Sequence, residues 1–547
     1  MRPDYIIKNG TIVNGKNEAP FKGDLAVKDG KIIGPELCIV VPDDFPDERV
    51  IRADGAYVTP GFVDIHRHGD LLALRGGDDE LLNRQGITTC VNGCCGLSAA
   101  PAGNVFQRDI FAFLSSVIGE NPFPKSNTFS SMAAYLTALS GTPRSVNTGM
   151  LVGNGTVRAA VCGYFAAELT EEQISCIQQL LIASLEAGAL GISLGLAYAP
   201  EFSYTRKSLT EVLRPLAGSG IPLIAHIRNE GDGLAASVRE MIGTAEDLKL
   251  PLHISHMKCI GRRNWHTEPR RVRALVDEAR LRGLVIDYDL YPYTTGSTQL
   301  VHLLPPEFQN GGTAAIIERL RNPTTRSEIT EVLKKPSRSY ENIVELVGFD
   351  RIYVPSLRSR TYSPYCGASI ASIGEKLGID PYEVLYDILI EEKCAAPMLD
   401  TYGSEEDMDF YYRSPLSSVI SDSIYPAAGK LHPRVYAAFP KFLKEYVCEK
   451  KMFPIEEAIY KMTAGPAGVL GIERGTIEEG GPADLCIFRL EDLRAEADFS
   501  VPDRLCSGFS MVMTNGKPCV INDRWVNSGS GEVLKKKSRL TDSGACR

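Results

Sequence analysis

Nowhere in these 547 residues do about 18 apolar residues stand in succession, so no membrane-spanning helix is expected. Basic residues are outnumbered, 59 Lys and Arg against 68 Asp and Glu, for a formal net charge of -9. A phosphate backbone needs a basic face, so nucleic acid is excluded as an expected partner. The opening Met1-Arg2-Pro3-Asp4-Tyr5-Ile6-Ile7 lacks a basic region followed by an apolar stretch, and a soluble, cytoplasmic protein is expected. The 14 cysteines follow no repeating frame, which speaks against a disulfide scaffold and for reduced thiols, most of them small core hydrophobes.

What is present has the texture of a large globular chain, 44% hydrophobic and 23% charged, with room for one large domain and a smaller one. From Asp4 to about Thr59, short β-rich runs alternate with Asn9-Gly10, Asn14-Gly15 and Asp29-Gly30, which are hairpin signals. The same texture returns at Ala483-Asp484-Leu485-Cys486-Ile487-Phe488 and from Ser510 to Gly516. The two chain ends are therefore expected to build one small β-sandwich domain together. Between them eight short apolar runs, at 62–65, 88–92, 148–152, 191–194, 222–225, 251–254, 284–287 and 418–420, alternate with helix-like stretches such as 170–187 and 233–248. Eight strands joined by crossover helices predict an α/β fold, a (β/α)8 TIM-like barrel. The expected division is 1–58 for the first part of the β domain, 59–465 for the barrel, and 466–547 for the rest of the β domain with a solvated tail after Trp525 that includes Lys535-Lys536-Lys537. The barrel carries an insertion at about 300–415, with helical patterns of its own at 314–320 and 327–333. A connection that long in a compact domain usually covers or shapes an active site.

Parallel barrels place their active sites at the carboxyl ends of the strands, so the polar residue ending each strand is informative. Strand one ends in His66-Arg67-His68, whose two imidazoles share one face of an extended chain and can grip one ion. Strand two leads to Gly93-Cys94-Cys95-Gly96, strand five to His226, strand six to His256 and strand eight to Asp422. Imidazole, thiolate and carboxylate together suit Zn2+ better than hard cations, with cobalt or nickel as substitutes. Two subsites can be drawn: His66, His68 and Asp422 on one side, and His226 and His256 on the other, with Cys95 between or beside them. Catalytic zinc keeps a position for water, so the expected reaction is hydrolysis. Asp422 has two compatible duties, metal ligand and general base; a helix cap is the bland alternative.

These motifs resemble the amidohydrolase superfamily and, more narrowly, its D-aminoacylase (N-acyl-D-amino-acid deacylase) family. The resemblance runs from Asn9-Gly10 to Gly481-Pro482-Ala483-Asp484 and is carried by Pro60-Gly61-Phe62-Val63-Asp64-Ile65-His66-Arg67-His68, His226-Ile227-Arg228-Asn229-Glu230, Ser255-His256-Met257-Lys258, Asp289-Leu290-Tyr291-Pro292-Tyr293, Ser421-Asp422, His432-Pro433-Arg434 and Lys461-Met462-Thr463. It implies a zinc-dependent hydrolase acting on a small-molecule N-acyl-D-amino acid. It further implies a tighter metal site at Cys95, His226 and His256, and a second, weakly occupied one at His66, His68 and Asp422. Substrate carboxylate recognition carries over to Lys258, Tyr291 and Arg434, with Ser297 nearby, and the planar fork of an arginine suits that task.

Two departures stand out. The family has Asn where this chain has Cys94, so two adjacent thiols compete; alternation lets one face the axis, and the motif favours Cys95. Where the family shows Gly-His-Gly after strand three, Gly153-Asn154-Gly155 stands here, and an altered acyl-pocket polarity is the expectation. The rival enzyme reading is a cyclic amidase of the dihydropyrimidinase kind, many of which bridge two metals with a carbamylated lysine near strand four. No lysine occurs between Lys125 and Lys207. A non-catalytic protein on the same scaffold is the remaining rival, and it would be expected to lose ligands that this chain keeps.

Overall fold

The computed structural model describes residues 2–121, 123, 127–165, 167–426 and 429–536. Eight short parallel strands form its centre: Phe62–Asp64, Ile87–Asn92, Asn147–Met150 continued by Val152–Gly153, Ile192–Gly195, Leu223–His226, Leu252–Ile254, Ile286–Leu290 and Ser417–Val419. Each pairs in parallel with the next. The ring closes where the chain beyond strand eight meets the chain beyond strand one, through a parallel bridge between Arg67 and Ser423 and a bond from Asp422 N–H to the His66 carbonyl at 2.9 Å. Strand residues are almost all buried, because side chains fill the interior on one face and helices cover the other.

Helices begin where the chain offers caps. Thr170 closes a capping box with Gln173 at the start of the helix Glu171–Glu186, which satisfies two otherwise orphaned amides. The insertion after strand seven folds into helices Gly312–Leu320 and Pro323–Leu333 and a small antiparallel sheet, in which Thr295–Gln299 and Ile352–Tyr353 flank Pro397–Thr401. This sheet stands over the carboxyl ends of the barrel strands, with Ser297 and Asp400 reaching the central cavity.

Both chain ends enter one nine-stranded sheet, where Tyr57–Pro60 pairs with Leu485–Phe488. Its inner face, including Ile7, Leu25, Val58, Leu485 and Met513, forms a core separate from that of the barrel. The tail after Trp525 is not a free solvated end as far as Lys536. Val533 bridges Thr148, Leu534 N–H bonds the Thr148 carbonyl at 2.9 Å, and Lys536 Nζ reaches the Leu470 carbonyl at 3.2 Å. Backbone pairing of this kind leaves no trace in side-chain composition. Lys537 lies outside the described residues. Among the described residues no helix is long and apolar enough to cross a membrane.

Candidate active site

Three of the strand-end residues, Cys95, His256 and Asp422, have φ of 52°, 32° and 48°. Non-glycine residues rarely adopt left-handed backbone, and such strain concentrates at functional sites. Here each one turns the chain sharply at the end of a strand. Gly96, next after Cys95, has φ of 71°, and a Cβ there would meet Glu201 Oε2 at 2.0 Å; only glycine fits. The loop carrying Asp422 is tied down by the buried Asp64, whose carboxylate accepts from the Ser421 hydroxyl at 2.5 Å and the Ser421 N–H at 3.1 Å.

The candidate ligands converge. Cys95 Sγ lies 3.2 Å from His66 Nε2 and 3.4 Å from His256 Nε2, while His226 Nδ1 lies 2.9 Å from the same His256 nitrogen. Asp422 Oδ1 is 3.6 Å from His66 Nε2 and 3.5 Å from His68 Nε2. Among the described residues three groups offer donor atoms within 4.8 Å of one another: His66, Cys95 and His256; His66, His68 and Asp422; His226, Glu230 and His256. Cys94 belongs to none of them, and its Sγ points to the Ile65 carbonyl at 3.5 Å.

The chemistry of this cluster fits a cation. Burial drives the His68 imidazole down to about 4 and His226 well below its usual value, leaving the neutral rings that metals bind. Among the described residues His226 Nε2 and His68 Nδ1 find no hydrogen-bond partner. Burial also pushes the Cys95 thiol well up, with Asp422 adding to the rise, so only a bound cation would make it a thiolate there. Asp422 is held well below the carboxylate range: burial opposes its charge, but Arg434, 3.1 Å away, prevails.

Several residues behind the cluster escaped the sequence reading. Asp289 Oδ2 is 3.1 Å from His66 Nδ1 and 2.8 Å from His253 Nε2, and Asp287 Oδ1 is 2.5 Å from His253 Nδ1. Burial opposes charge on His253, yet Asp287 and Asp289 outweigh it and raise the imidazole to about 10. Glu230 Oε1 holds His256 Nδ1 at 3.0 Å, and its other oxygen holds Lys258 at 2.5 Å. Partners of this sort fix the tautomer and orientation of a ligating imidazole. The signal was available in the quoted motifs, since Glu230 sits four residues after His226 and Asp289 near the end of a strand that runs to Leu290.

A cavity opens onto the cluster, lined by His68, Cys95, His226, His256, Asp422, Lys258, Tyr291 and Ser297 among others. His66 and Arg434 are fully buried and do not line it. Arg434 lies over the Tyr291 ring, 4.5 Å from its centroid, and donates to the Ser297 carbonyl at 3.2 Å. Asn154 does not line the cavity either, against the expectation of a changed acyl pocket. It is fully buried at the start of the helix Asn154–Cys162 and donates to Glu201 Oε1 at 2.6 Å, a tertiary contact that spacing along the chain could not indicate.

Glu201 Oε2 also accepts the Gly195 N–H at 2.7 Å, and burial raises its carboxyl to about 7. A raised acid keeps its proton in the folded state after the unfolded chain has released it, so stability is lost as pH rises from the unfolded carboxyl range through about 7. Relative to Glu201→Gln, wild type is therefore expected to lose roughly 2–3 kcal/mol between pH 4.5 and 8. Denaturant unfolding of both proteins across that range checks it; a constant difference would contradict it.

Residues 430–520 match the Amidohydrolase family. Over 541 residues the chain is 28% identical to a D-aminoacylase of Alcaligenes xylosoxydans xylosoxydans, covering 97% of this chain and 98% of that one. The fold matches an N-acyl-D-glutamate deacylase of Bordetella bronchiseptica solved with zinc and a phosphonate mimic of the tetrahedral intermediate (29% identity, 98% and 100% coverage, TM-score 0.81). It also matches a D-aminoacylase with a binuclear metal centre, described by one-metal activation and second-metal attenuation (26% identity, 98% and 100% coverage, TM-score 0.78). The chain is thus similar over nearly its whole length to D-aminoacylases and N-acyl-D-amino-acid deacylases, and its residues 430–520 match the amidohydrolase family.

Proposed function

We propose that this chain is a metal-dependent hydrolase that cleaves the acyl–nitrogen bond of N-acyl-D-amino acids, releasing a carboxylate and a free D-amino acid. The observation that carries the reading is the meeting of Cys95, His226 and His256 with Asp422, Lys258 and Tyr291 around one cavity. The likeness to deacylases over nearly the whole chain supports it.

Cys95, His226 and His256 would hold one zinc ion tightly, and His66, His68 and Asp422 a second, weaker one, in keeping with the one-metal activation named for the D-aminoacylase relative. Bound zinc supplies Lewis acidity toward the acyl carbonyl and makes water a usable nucleophile near neutral pH. Asp422, kept ionised by Arg434, takes a proton from the attacking water and returns it to the departing nitrogen. Lys258, Tyr291 and Ser297 receive the substrate carboxylate, and Arg434 supplies positive charge behind them. Lys258 is fixed for this by Glu230, which outweighs burial and keeps the ammonium charged. Burial raises the Tyr291 phenol to about 12, so it donates a hydrogen bond and does not ionise. The substrate is a small molecule held in this cavity, and the proposed location is the cytoplasm.

Assaying zinc-loaded protein on N-acetyl D- and L-amino acids and on hydantoins tests the reading. D-substrates are expected to exceed their L-enantiomers in kcat/KM by about 100-fold or more. Preference for L-substrates, or ring opening of hydantoins in their place, would overturn it.

A further inference from the structure

Carboxyls outnumber cations along the cavity wall. The cations are matched, Lys258 by Glu230 and Arg434 by Asp422. Asp400, Glu341 and His302 also line the wall, with Tyr198 and Thr298, and Lys258 is the only Lys or Arg among the described lining residues. Asp400 is 4% exposed, and its carboxyl finds no hydrogen-bond donor among the described residues. Its Oδ1 points toward Gly296, where a Cβ would meet it at 2.7 Å, so glycine keeps the space beside it open. Glu341, also 4% exposed, accepts the Glu230 N–H through Oε2 at 2.7 Å and leaves Oε1 3.7 Å from His302 Nε2. Neither ring nitrogen of His302 finds a hydrogen-bond partner among the described residues.

Two nearly buried carboxyls with acceptor capacity to spare would repel a third and attract a donor. Burial, only partly offset by Lys258 and reinforced by Glu341, raises the Asp400 carboxyl to about 7; a cation placed beside it would relieve that cost. In the insertion sheet Asp400 is paired with Gly296, one position from Ser297. The acidic wall therefore adjoins the part of the cavity assigned to the substrate carboxylate, where the side chain on the same carbon must lie.

We propose that Asp400 and Glu341 form the side-chain subsite and select N-acyl-D-amino acids whose side chain ends in an ammonium or guanidinium group, rejecting acidic ones. This rests on the deacylase reading. The test is kcat/KM of the zinc-loaded full chain for N-acetyl-D-arginine, N-acetyl-D-lysine, N-acetyl-D-leucine and N-acetyl-D-glutamate, in wild type and in Asp400→Asn. One basic substrate is expected to exceed leucine by about 10-fold and glutamate by about 100-fold. In Asp400→Asn the basic-to-leucine ratio is expected to fall about 10-fold, and a ratio cancels any loss common to both substrates. Glutamate matching or exceeding arginine and lysine, or an unchanged ratio in the variant, would overturn the proposal. Failure to hydrolyse any of the four would count against the deacylase reading instead. The subsite would then be judged by calorimetric binding of N-acetyl-D-arginine and N-acetyl-D-glutamate to the zinc-loaded protein: tighter arginine supports it, and equal or tighter glutamate refutes it.

Discussion

Asp422→Asn is expected to lower kcat toward an N-acetyl-D-amino acid by about 10³-fold, the range of a positioned acid–base group. The carboxylate stands within 3.6 Å of both imidazoles of the His66 and His68 pair and 3.1 Å from Arg434. Asparagine keeps the shape and can still accept a hydrogen bond, but it cannot take a proton from water. The substitution also leaves the fully buried Arg434 guanidinium without its counter-charge, and breaking a buried pair costs about 3–5 kcal/mol. Thermal unfolding must therefore accompany the kinetics, so that the loss in kcat is read on folded protein. A folded variant with kcat within about 10-fold of wild type would remove Asp422 from proton transfer.

The second large effect is expected from His256→Ala. His256 Nε2 is the atom on which Cys95 and His226 meet, and Glu230 aims the ring from behind. Without it the proposed tight site keeps two donors, too few for the three protein ligands of a catalytic zinc. Zinc content is expected to fall from about one ion per chain to below about 0.1, with kcat/KM down by more than about 10³-fold. His68→Ala removes a donor from the other group only and is expected to retain the tight ion. Elemental analysis of the two purified variants checks both statements. Full zinc content in His256→Ala would show that the ion is held elsewhere.

The sequence was most legible where chemistry and periodicity coincide. A ligand placed at the end of a short apolar run is readable because a strand has a fixed direction and a barrel has one working face. His66, Cys95, His226, His256 and Asp422 all follow this rule, and each approaches at least one other of them in the structure, although Cys95 and His226 meet only through His256. Legibility ended where tertiary contact alone brings residues together. His253 reads as an ordinary strand residue until Asp287 and Asp289, more than 30 positions later, are seen to enclose it. The apolar run at 284–287 places the end of strand seven before Asp289, whereas the strand runs on to Leu290 and carries Asp289 near its end. Motif position assigns Asn154 to the pocket, but Glu201, 47 positions away, holds it in the core. Asp400 belongs to a three-stranded sheet inside the long insertion, where neither helical nor barrel periodicity applies. The docked tail around Val533 is held by main-chain bonds that any sequence could make.

The most direct test is a zinc titration of chelator-stripped protein during hydrolysis of N-acetyl-D-leucine and N-acetyl-D-arginine. Activity is expected to be absent in the stripped protein and to rise to a maximum near about one equivalent of zinc. Full turnover by protein shown by elemental analysis to carry no metal would contradict the role given to Cys95, His226 and His256.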